Sequence, residues 1–491
     1  MNRRTPFFCF LVLAASWCAP ISVRAATLTL HPAEKHQVVE GFGTCLVSWK
    51  PAVLTYYDRP DFPDFYLKQL GASVLRIDLW TDSAPKPQER WQDITWRDFS
   101  FDGKGARGKF FADIAQRLHA ASKGQLRVIA TVWSPPGWMK VNGSLANGHP
   151  DRKNYGLNFR TPGELGQWSG PLDGPEGEDR WQYLGRNKLR SDRYLHFAKL
   201  LVEWTRYYRT LGIDLYALSA QNELTFSHYF ESCVYTPEEY AELMRVIVWM
   251  FAHEGEKRPQ LFGPEHMTFD IEKNRLFLEA LATRPTALAS LDAIASHGYI
   301  DGYMADKRPD SVSAFRKMAE PYGKKIWMTE GSTGGHTWPA PLHEVGTSFL
   351  NALTEGGVSL LTPWVVVDEV ANVHGLTAIT GHTKKTSVAM HYFRFLRPGM
   401  VRVGVSSDSR EVGSVACLDP GSGHLVLVLL NRTKDAAPIS LRLTDSAPLT
   451  VTEAYLTDVT RDCEKMDPWN GHSEVTVPSE SIATLILTPR P

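Results

Sequence analysis

Two acidic side chains stand where apolar runs end. Glu223 closes Ser219-Ala220-Gln221-Asn222-Glu223, directly after Leu215 to Leu218, and Glu330 closes Trp327-Met328-Thr329-Glu330. Two strands of one barrel that end on carboxylates can bring them face to face across its mouth. Such a pair suits cleavage of a glycosidic bond with retention. One carboxylic acid protonates the leaving oxygen and the other carboxylate attacks the anomeric carbon, at a separation of about 5 to 5.5 Å. Asn222, beside Glu223, offers an amide to the sugar 2-hydroxyl, a hydrogen bond that strengthens in the transition state. Either glutamate alone reads as a salt-bridge partner at a barrel rim; Asn-Glu together with the later Thr-Glu favours catalysis.

The elements that must position these groups are legible as short apolar, β-rich runs alternating with helical patterns, the signature of parallel strands joined by crossover helices. Eight runs occur: Val38 to Phe42, Val74 to Leu79, Arg127 to Trp133, Leu215 to Ala220, Gln260 to Gly263, Ala293 to His297, Lys325 to Thr329 and Val358 to Trp364. Between them lie amphipathic stretches such as Tyr194 to Tyr208, with Leu195, Ala198, Leu201, Val202 and Trp204 on one stripe. Another is Pro237 to Phe251, opened by Thr236 as N-cap. The expectation is a closed (β/α)8 TIM barrel. The segment 147–187 is rich in Gly, Pro, Asp and Arg; after the third strand it either builds the cleft or is a loose excursion.

After Phe395 the texture changes to short strands split by Gly, Asn, Asp and Pro: Ser414 to Cys417, His424 to Leu430, Ile439 to Leu443, Leu449 to Leu456, Val475 to Val477 and Ile482 to Leu487. That spacing without helices predicts an attached antiparallel β-sandwich, which the early strand Thr27 to Leu30 can join. The N-terminus, with Arg3-Arg4, an apolar run from Phe7 to about Ile21 and Val23-Arg24-Ala25, reads as a secretory signal cleaved near Ala25. The division is therefore signal peptide 1–25, a sandwich strand in 26–37, barrel 38–395 and sandwich 396–491. A secreted or periplasmic protein follows.

The 53 basic and 54 acidic residues cancel, which removes the broad attraction that nucleic acid or an anionic membrane surface requires. A neutral substrate fits, and 15 Trp supply cores and platforms for sugar faces. No nucleic-acid or membrane partner and no second copy is expected: the protein reads as a monomer. Phosphate-binding Gly-rich loops, His-Glu-x-x-His and paired Cys-x-x-Cys are missing from the sequence, so no metal or organic cofactor is implied. Beyond the signal, Cys45, Cys233, Cys417 and Cys463 either form two bridges, Cys417 with Cys463 being one candidate, or stay as buried thiols. Neither Asn142-Gly-Ser nor Asn431-Arg-Thr is expected to carry a glycan.

Longer strings carry a resemblance. Val38-Val39-Glu40-Gly41-Phe42-Gly43, Trp133-Ser134-Pro135-Pro136-Gly137-Trp138-Met139-Lys140-Val141-Asn142-Gly143, Gln221-Asn222-Glu223, Ser296-His297-Gly298-Tyr299, Trp327-Met328-Thr329-Glu330 and His391 to Arg402 occur in that order. Over nearly the whole mature chain this resembles glycoside hydrolase family 30, in the clan of barrel glycosidases that use glutamates from strands four and seven. The resemblance implies Glu223 as general acid/base and Glu330 as nucleophile. It also implies that Arg76 lies beside the nucleophile, where a cation keeps Glu330 ionised; pairing with Asp78 or another barrel carboxylate is the alternative. Trp133, His297, Tyr299 and Trp364, at strand ends, either floor and hydrogen-bond the sugar or simply pack.

Three departures bear on substrate. Gly43 is followed by Thr44-Cys45-Leu46-Val47-Ser48-Trp49, which is similar to branches where an aromatic, here Trp49, lines the first loop; Leu224 and Gly298 replace the family's Pro and aromatic. Asp78 and Asp82 read as solvated rim carboxylates, or else as hydroxyl ligands. The expected activity is double-displacement hydrolysis of a β-linked glycan, β-1,6-galactan or glucan ranking ahead of xylan and glucosylceramide. A transglycosylase would use the same pair if the cleft excludes water, and transfer to an acceptor sugar separates the two. A carbohydrate-binding protein without catalysis would bind glycans unchanged after Glu330→Gln.

Overall fold

The computed structural model describes residues 25–156, 181–299, 310–332, 334–444, 449–467, 469 and 471–489. The signal segment up to residue 24, and 157–180 within the 147–187 stretch, lie outside the described residues.

Eight parallel strands close a barrel in sequence order: Gly41–Cys45, Val74–Asp78, Arg127–Thr131, Ala217–Ser219, Gln260–Met267, Leu291–His297, Lys325–Glu330 and Val358–Leu361. Each run read from the sequence supplies one strand. The first begins at Gly41 because Val38 still belongs to a strand of the second sheet, and the fifth continues past Gly263 to Met267. Closure brings the first two strands very close. A Cβ on Gly43 would lie 1.8 Å from the Val74 carbonyl oxygen, so only glycine fits.

Inside the barrel, Val74, Ile129, Ala217, Phe262, Ala293, Ala295, Trp327 and Leu360 form a separate apolar cluster. Below it the N-terminal end is plugged by buried Glu40, which accepts from Tyr216 Oη (2.6 Å), Lys325 Nζ (2.7 Å), Trp327 Nε1 (2.7 Å) and Ser359 Oγ (2.9 Å). Above it, strand alternation turns the next inward positions polar: Arg76 follows Val74, Thr131 follows Ile129, Ser219 follows Ala217 and His297 follows Ala295.

Helices Tyr194–Thr210 and Pro237–His253 cover adjacent strands outside. The second opens with a capping box: Thr236 Oγ1 accepts from Glu239 N, and Glu239 Oε2 accepts from Thr236 N. In the first, Ala198, Leu201, Val202 and Trp204 are buried as expected, but Leu195 is 37% exposed and Phe197 takes the inward position.

The second sheet has nine strands, in spatial order Glu464–Lys465, Leu449–Thr457, Ser481–Pro489, Leu425–Asn431, Val412–Leu418, Val401–Ser407, Ala26–Val38, Ala437–Leu443 and Glu474–Val477. Leu28, Leu441 and Val477 from one end share a core with Leu427, Leu456 and Leu485 from the other, so the sheet folds over on itself as a sandwich. Val415, Cys417, Val428 and Ile482 on its other face join the barrel's outer core. Ala26–Val38 pairs antiparallel with Val401–Ser407, a strand the sequence reading left inside a motif, and parallel with Ala437–Leu443, so the sandwich is not wholly antiparallel.

Of the two readings of the cysteines the buried thiols hold and the candidate bridge between Cys417 and Cys463 is corrected: Cys45, Cys233, Cys417 and Cys463 are all free and buried. Cys417 lies three strand steps from Leu449–Thr457, beyond which Cys463 follows. At about 4.8 Å per step that is roughly double the reach of a disulfide. Among the described residues no helix is long and apolar enough to cross a membrane.

Candidate active site

Local irregularities aim three glutamates at the barrel axis. Thr329 and Glu330 are adjacent, and strict alternation would send one of them outward. The pairing register with the sixth strand shifts between Met328 and Glu330, so both face inward. A second shift, between Pro264 and His266, accompanies Glu265 at φ +54°. Glu223 follows the short fourth strand at φ +43°, with Asn222 N donating to Val132 O and Phe226 N to Glu223 O. A left-handed non-glycine residue costs about 1–2 kcal/mol, and two of the six in the described chain are these buried glutamates.

Arg76, fully buried, ties the strand ends together. Nη1 donates to Glu330 Oε1 at 2.5 Å, Nη2 to Glu265 Oε1 and Asn222 Oδ1 at 2.9 Å each, and Nε to Thr131 Oγ1 at 3.2 Å. Its guanidinium also lies 4.7 Å from the Trp133 ring. Both alternatives for Arg76 therefore hold at once: it meets Glu330 and another barrel carboxylate, Glu265. Tyr299 Oη donates to the other oxygen of Glu330 at 2.6 Å.

His297 sits beneath the two strand-end carboxylates. Nδ1 lies 3.1 Å from Glu223 Oε1 and 3.6 Å from Glu330 Oε2, and Nε2 lies 3.5 Å from Glu265 Oε1. Burial would lower this imidazole, but the Glu330 charge and bonds to Glu223 and Glu265 push it up to about 9. Burial would raise the Glu223 carboxyl; hydrogen bonds from His228 and His297 override that and hold it below the ordinary range. These opposite shifts describe one proton shared by a coupled pair. Glu265 is brought to about 2, burial raising it and Arg76 pulling it down further.

Above this network opens a cavity of about 630 Å³ lined by Arg76, Asn222, Glu223 and Glu330, with Trp49, Trp133, Tyr299 and Trp364 around them. Trp49 stacks on Trp364 (centroids 5.7 Å, 20° apart), and Trp133 lies 6.0 Å from Trp364, forming one aromatic wall. Of the residues read from the sequence, His297 and Asp82 are absent from the lining: His297 is fully buried and meets carboxylates instead of sugar. Asp78 is corrected as well. It lines the cavity and is not a solvated rim carboxylate; burial and then the Glu231 charge push its carboxyl well above the usual range.

The sequence reading missed Glu265, whose run was ended at Gly263, and His228, which lies outside any periodic run. His228 Nε2 meets Glu223 Oε2 at 2.9 Å. Glu223, His297 and Glu330 also bring ligand atoms within 4.8 Å of one another, close enough to share a metal ion. Each is already engaged by Arg76, Tyr299, His228 or Glu265, so an ion-paired hydrogen-bond network accounts for the cluster.

Comparisons with known proteins agree with this architecture. The glycosyl hydrolase family 30 beta sandwich domain matches residues 399–485. Glucuronoxylanase XynC of Bacillus subtilis (strain 168) is 24% identical over 345 residues, 68% of this chain and 75% of that protein. Lysosomal acid glucosylceramidase of Mus musculus is 23% identical over 467 residues, 84% of this chain and 79% of that protein. Among solved structures, the glycoside hydrolase family 30 subfamily 8 xylanase Xyn30A from Clostridium acetobutylicum superposes with a TM-score of 0.67 at 20% identity, covering 94% of this chain and 99% of that one.

Proposed function

From the premise that this chain belongs to glycoside hydrolase family 30 and is a glycoside hydrolase, we propose that it cleaves β-linked glycans by double displacement, with Glu330 as nucleophile and Glu223 as general acid/base. One observation carries the reading: an oxygen of Glu223 and an oxygen of Glu330 lie within 4.8 Å of each other, which supports the close pairing of a retaining enzyme over the wider one of an inverting enzyme.

The division of roles follows from the donors around each group. Arg76 and Tyr299 each bind one oxygen of Glu330, stabilising an aimed carboxylate that attacks the anomeric carbon. Glu223 shares a proton with His297, so the pair has one to give as the leaving oxygen departs. In the second half, Glu223 takes a proton from water as that water's oxygen attacks and the bond to Glu330 breaks. Asn222, its Oδ1 held by Arg76, turns its amide N–H towards the sugar 2-hydroxyl. Asp78, Trp133 and Trp364 hold the ring, and Trp49 extends the aromatic wall beyond it.

The substrate reading is an exported enzyme, with residues 1–25 as its signal, acting on a neutral β-glycan. The Trp49 loop favours β-1,6-galactan or glucan ahead of xylan or glucosylceramide, and a monomer suffices because all these groups come from one chain. The test is hydrolysis of a panel of aryl β-glycosides and polysaccharides, with NMR of the first anomer released. Retained β product, abolished by Glu330→Gln, is expected. An inverted first product, or glycan cleavage undiminished in Glu330→Gln, overturns the assignment.

A further inference from the structure

We propose that His228 is a positioning residue for proton transfer: its Nε2–H fixes Glu223 Oε2 and makes Glu223 a stronger acid towards poor leaving groups. The inference rests on the reading of Glu223 as acid/base and deepens it.

The imidazole is held from several sides. It stacks on Phe230 (centroids 4.3 Å, 8°) and on Phe226 (5.6 Å, 21°). The backbone carrying it is latched to three surrounding segments. Phe226–Ser227 forms a short ladder with Tyr155–Gly156. Asn187 Nδ2 donates to Ser227 Oγ (2.8 Å) and Ser232 Oγ (3.0 Å), and Asn147 Nδ2 to Ser227 O (2.9 Å). Lys140 Nζ donates to Ser232 O (2.6 Å), which gives the Trp-Met-Lys string a structural task. Ser232 Oγ in turn accepts from His228 N at 2.8 Å. So braced, the ring holds its 2.9 Å contact with Glu223 without rearranging.

The ring's other nitrogen decides which way this contact works. Nδ1 is buried and has no hydrogen-bond partner among the described residues. A proton there would be an unmet buried donor, at a cost of about 1–3 kcal/mol, so the proton sits on Nε2 and is donated to the carboxylate. With Oε2 taken by a fixed donor, the exchangeable proton belongs to Oε1, the oxygen that faces His297. A hydrogen bond to the ionised form stabilises it over the neutral acid and so drives proton release. In glycosylation the proton passes from Glu223 to the departing oxygen while the Glu330–carbon bond forms. In the return step a water proton comes back to Glu223. His228 keeps its own proton throughout. The gain is realised only when the leaving group needs that proton: a sugar alkoxide does, a dinitrophenolate does not.

The experiment compares wild type, His228→Phe, His228→Gln and Glu223→Ala on 2,4-dinitrophenyl and phenyl β-glycosides of galactose, glucose and xylose, with and without azide. His228→Phe keeps the stack and loses the donor. It should lose about 10- to 100-fold in kcat/KM on the phenyl substrate, the worth of one hydrogen bond to a charged group, and under about 3-fold on the dinitrophenyl one. His228→Gln, which restores an N–H, should recover most of the loss. Equal losses on both leaving groups in the Phe variant, or in the Gln variant should Phe prevent folding, would mean that His228 only supports the loop, and the proposal falls. Glu223→Ala reports separately. Leaving-group-dependent loss with azide rescue keeps the acid/base reading whatever His228 does; uniform loss without rescue removes that reading and this proposal with it.

Discussion

Arg76 and Glu265 meet at 2.9 Å between Nη2 and Oε1, both side chains wholly removed from solvent, on the floor beneath the two strand-end carboxylates. Glu265 thereby supplies the second negative charge that lets a buried guanidinium serve Glu330 without being neutralised by it alone. Removing one partner of such a pair leaves a buried charge uncompensated, which costs about 3–5 kcal/mol. Glu265→Leu should lower unfolding stability by that amount in urea denaturation, with a large loss of kcat. A change under about 1 kcal/mol would show that Arg76 does not depend on Glu265.

The proton shared by His297 and Glu223 sets the alkaline limb of activity. The groups facing His297 are Glu223, Glu265 and Glu330, and they raise it to about 9. Below that value the pair is singly protonated and can deliver; above it kcat/KM should fall about tenfold per pH unit. In His297→Asn the proton must reside on the carboxyl itself, so the limb moves down towards the carboxylate range. A pH profile of kcat/KM on an unactivated substrate measures this, and an unmoved limb in the variant would refute the shared proton.

Stability should carry a separate acid sensitivity from His391. Its Nδ1 and Nε2 contact Thr484 Oγ1 and Thr457 Oγ1 at 2.8 and 2.9 Å, at the seam between barrel and sandwich. Burial pushes it down to about 3. The unfolded imidazole takes a proton near pH 6.5, so the full contribution is present above that pH. It is lost by about 1.4 kcal/mol per unit as pH falls towards the folded value. Between pH 7 and 5 the wild type should lose about 2 kcal/mol more than His391→Gln in paired urea titrations. Parallel losses would exclude His391 as the source.

Trp49 is 49% exposed, lines the cavity and stacks on Trp364. Trp49→Ala should raise KM for a polysaccharide substrate about 3- to 10-fold while kcat stays within about twofold, the pattern of uniform binding lost. A fall in kcat with KM unchanged would move Trp49 into the chemical step.

Much of this arrangement was readable because strands alternate. Val74, Arg76 and Asp78 announce an inward face, and the apolar runs before Glu223 and Glu330 announce where strands end. What escaped the reading lies where alternation breaks or contacts are distant. Glu265 follows Gly263-Pro264, a pair that ordinarily ends a strand, and only the register shift at Pro264 turns it inward. His228 belongs to a loop whose shape depends on Asn147 and Asn187, far away in sequence. His297 was read as a sugar contact or a packed side chain, because its burial beneath three carboxylates is a property of the closed barrel. Whether Cys417 and Cys463 bridge or stay thiols was open in the sequence, and the strand order separates them.

The strand Ala26–Val38 occupies an interior position of the sandwich, between Val401–Ser407 and Ala437–Leu443. This strand therefore waits for partners made some 370 residues later, a long-range closure of the slowest kind. The two modules can be stitched together only when the last strands have been made. A polypeptide excised as 399–485 would offer two raw edges in its middle, inviting self-association, and a tag that holds the N-terminal strand away would unzip the sandwich from its centre.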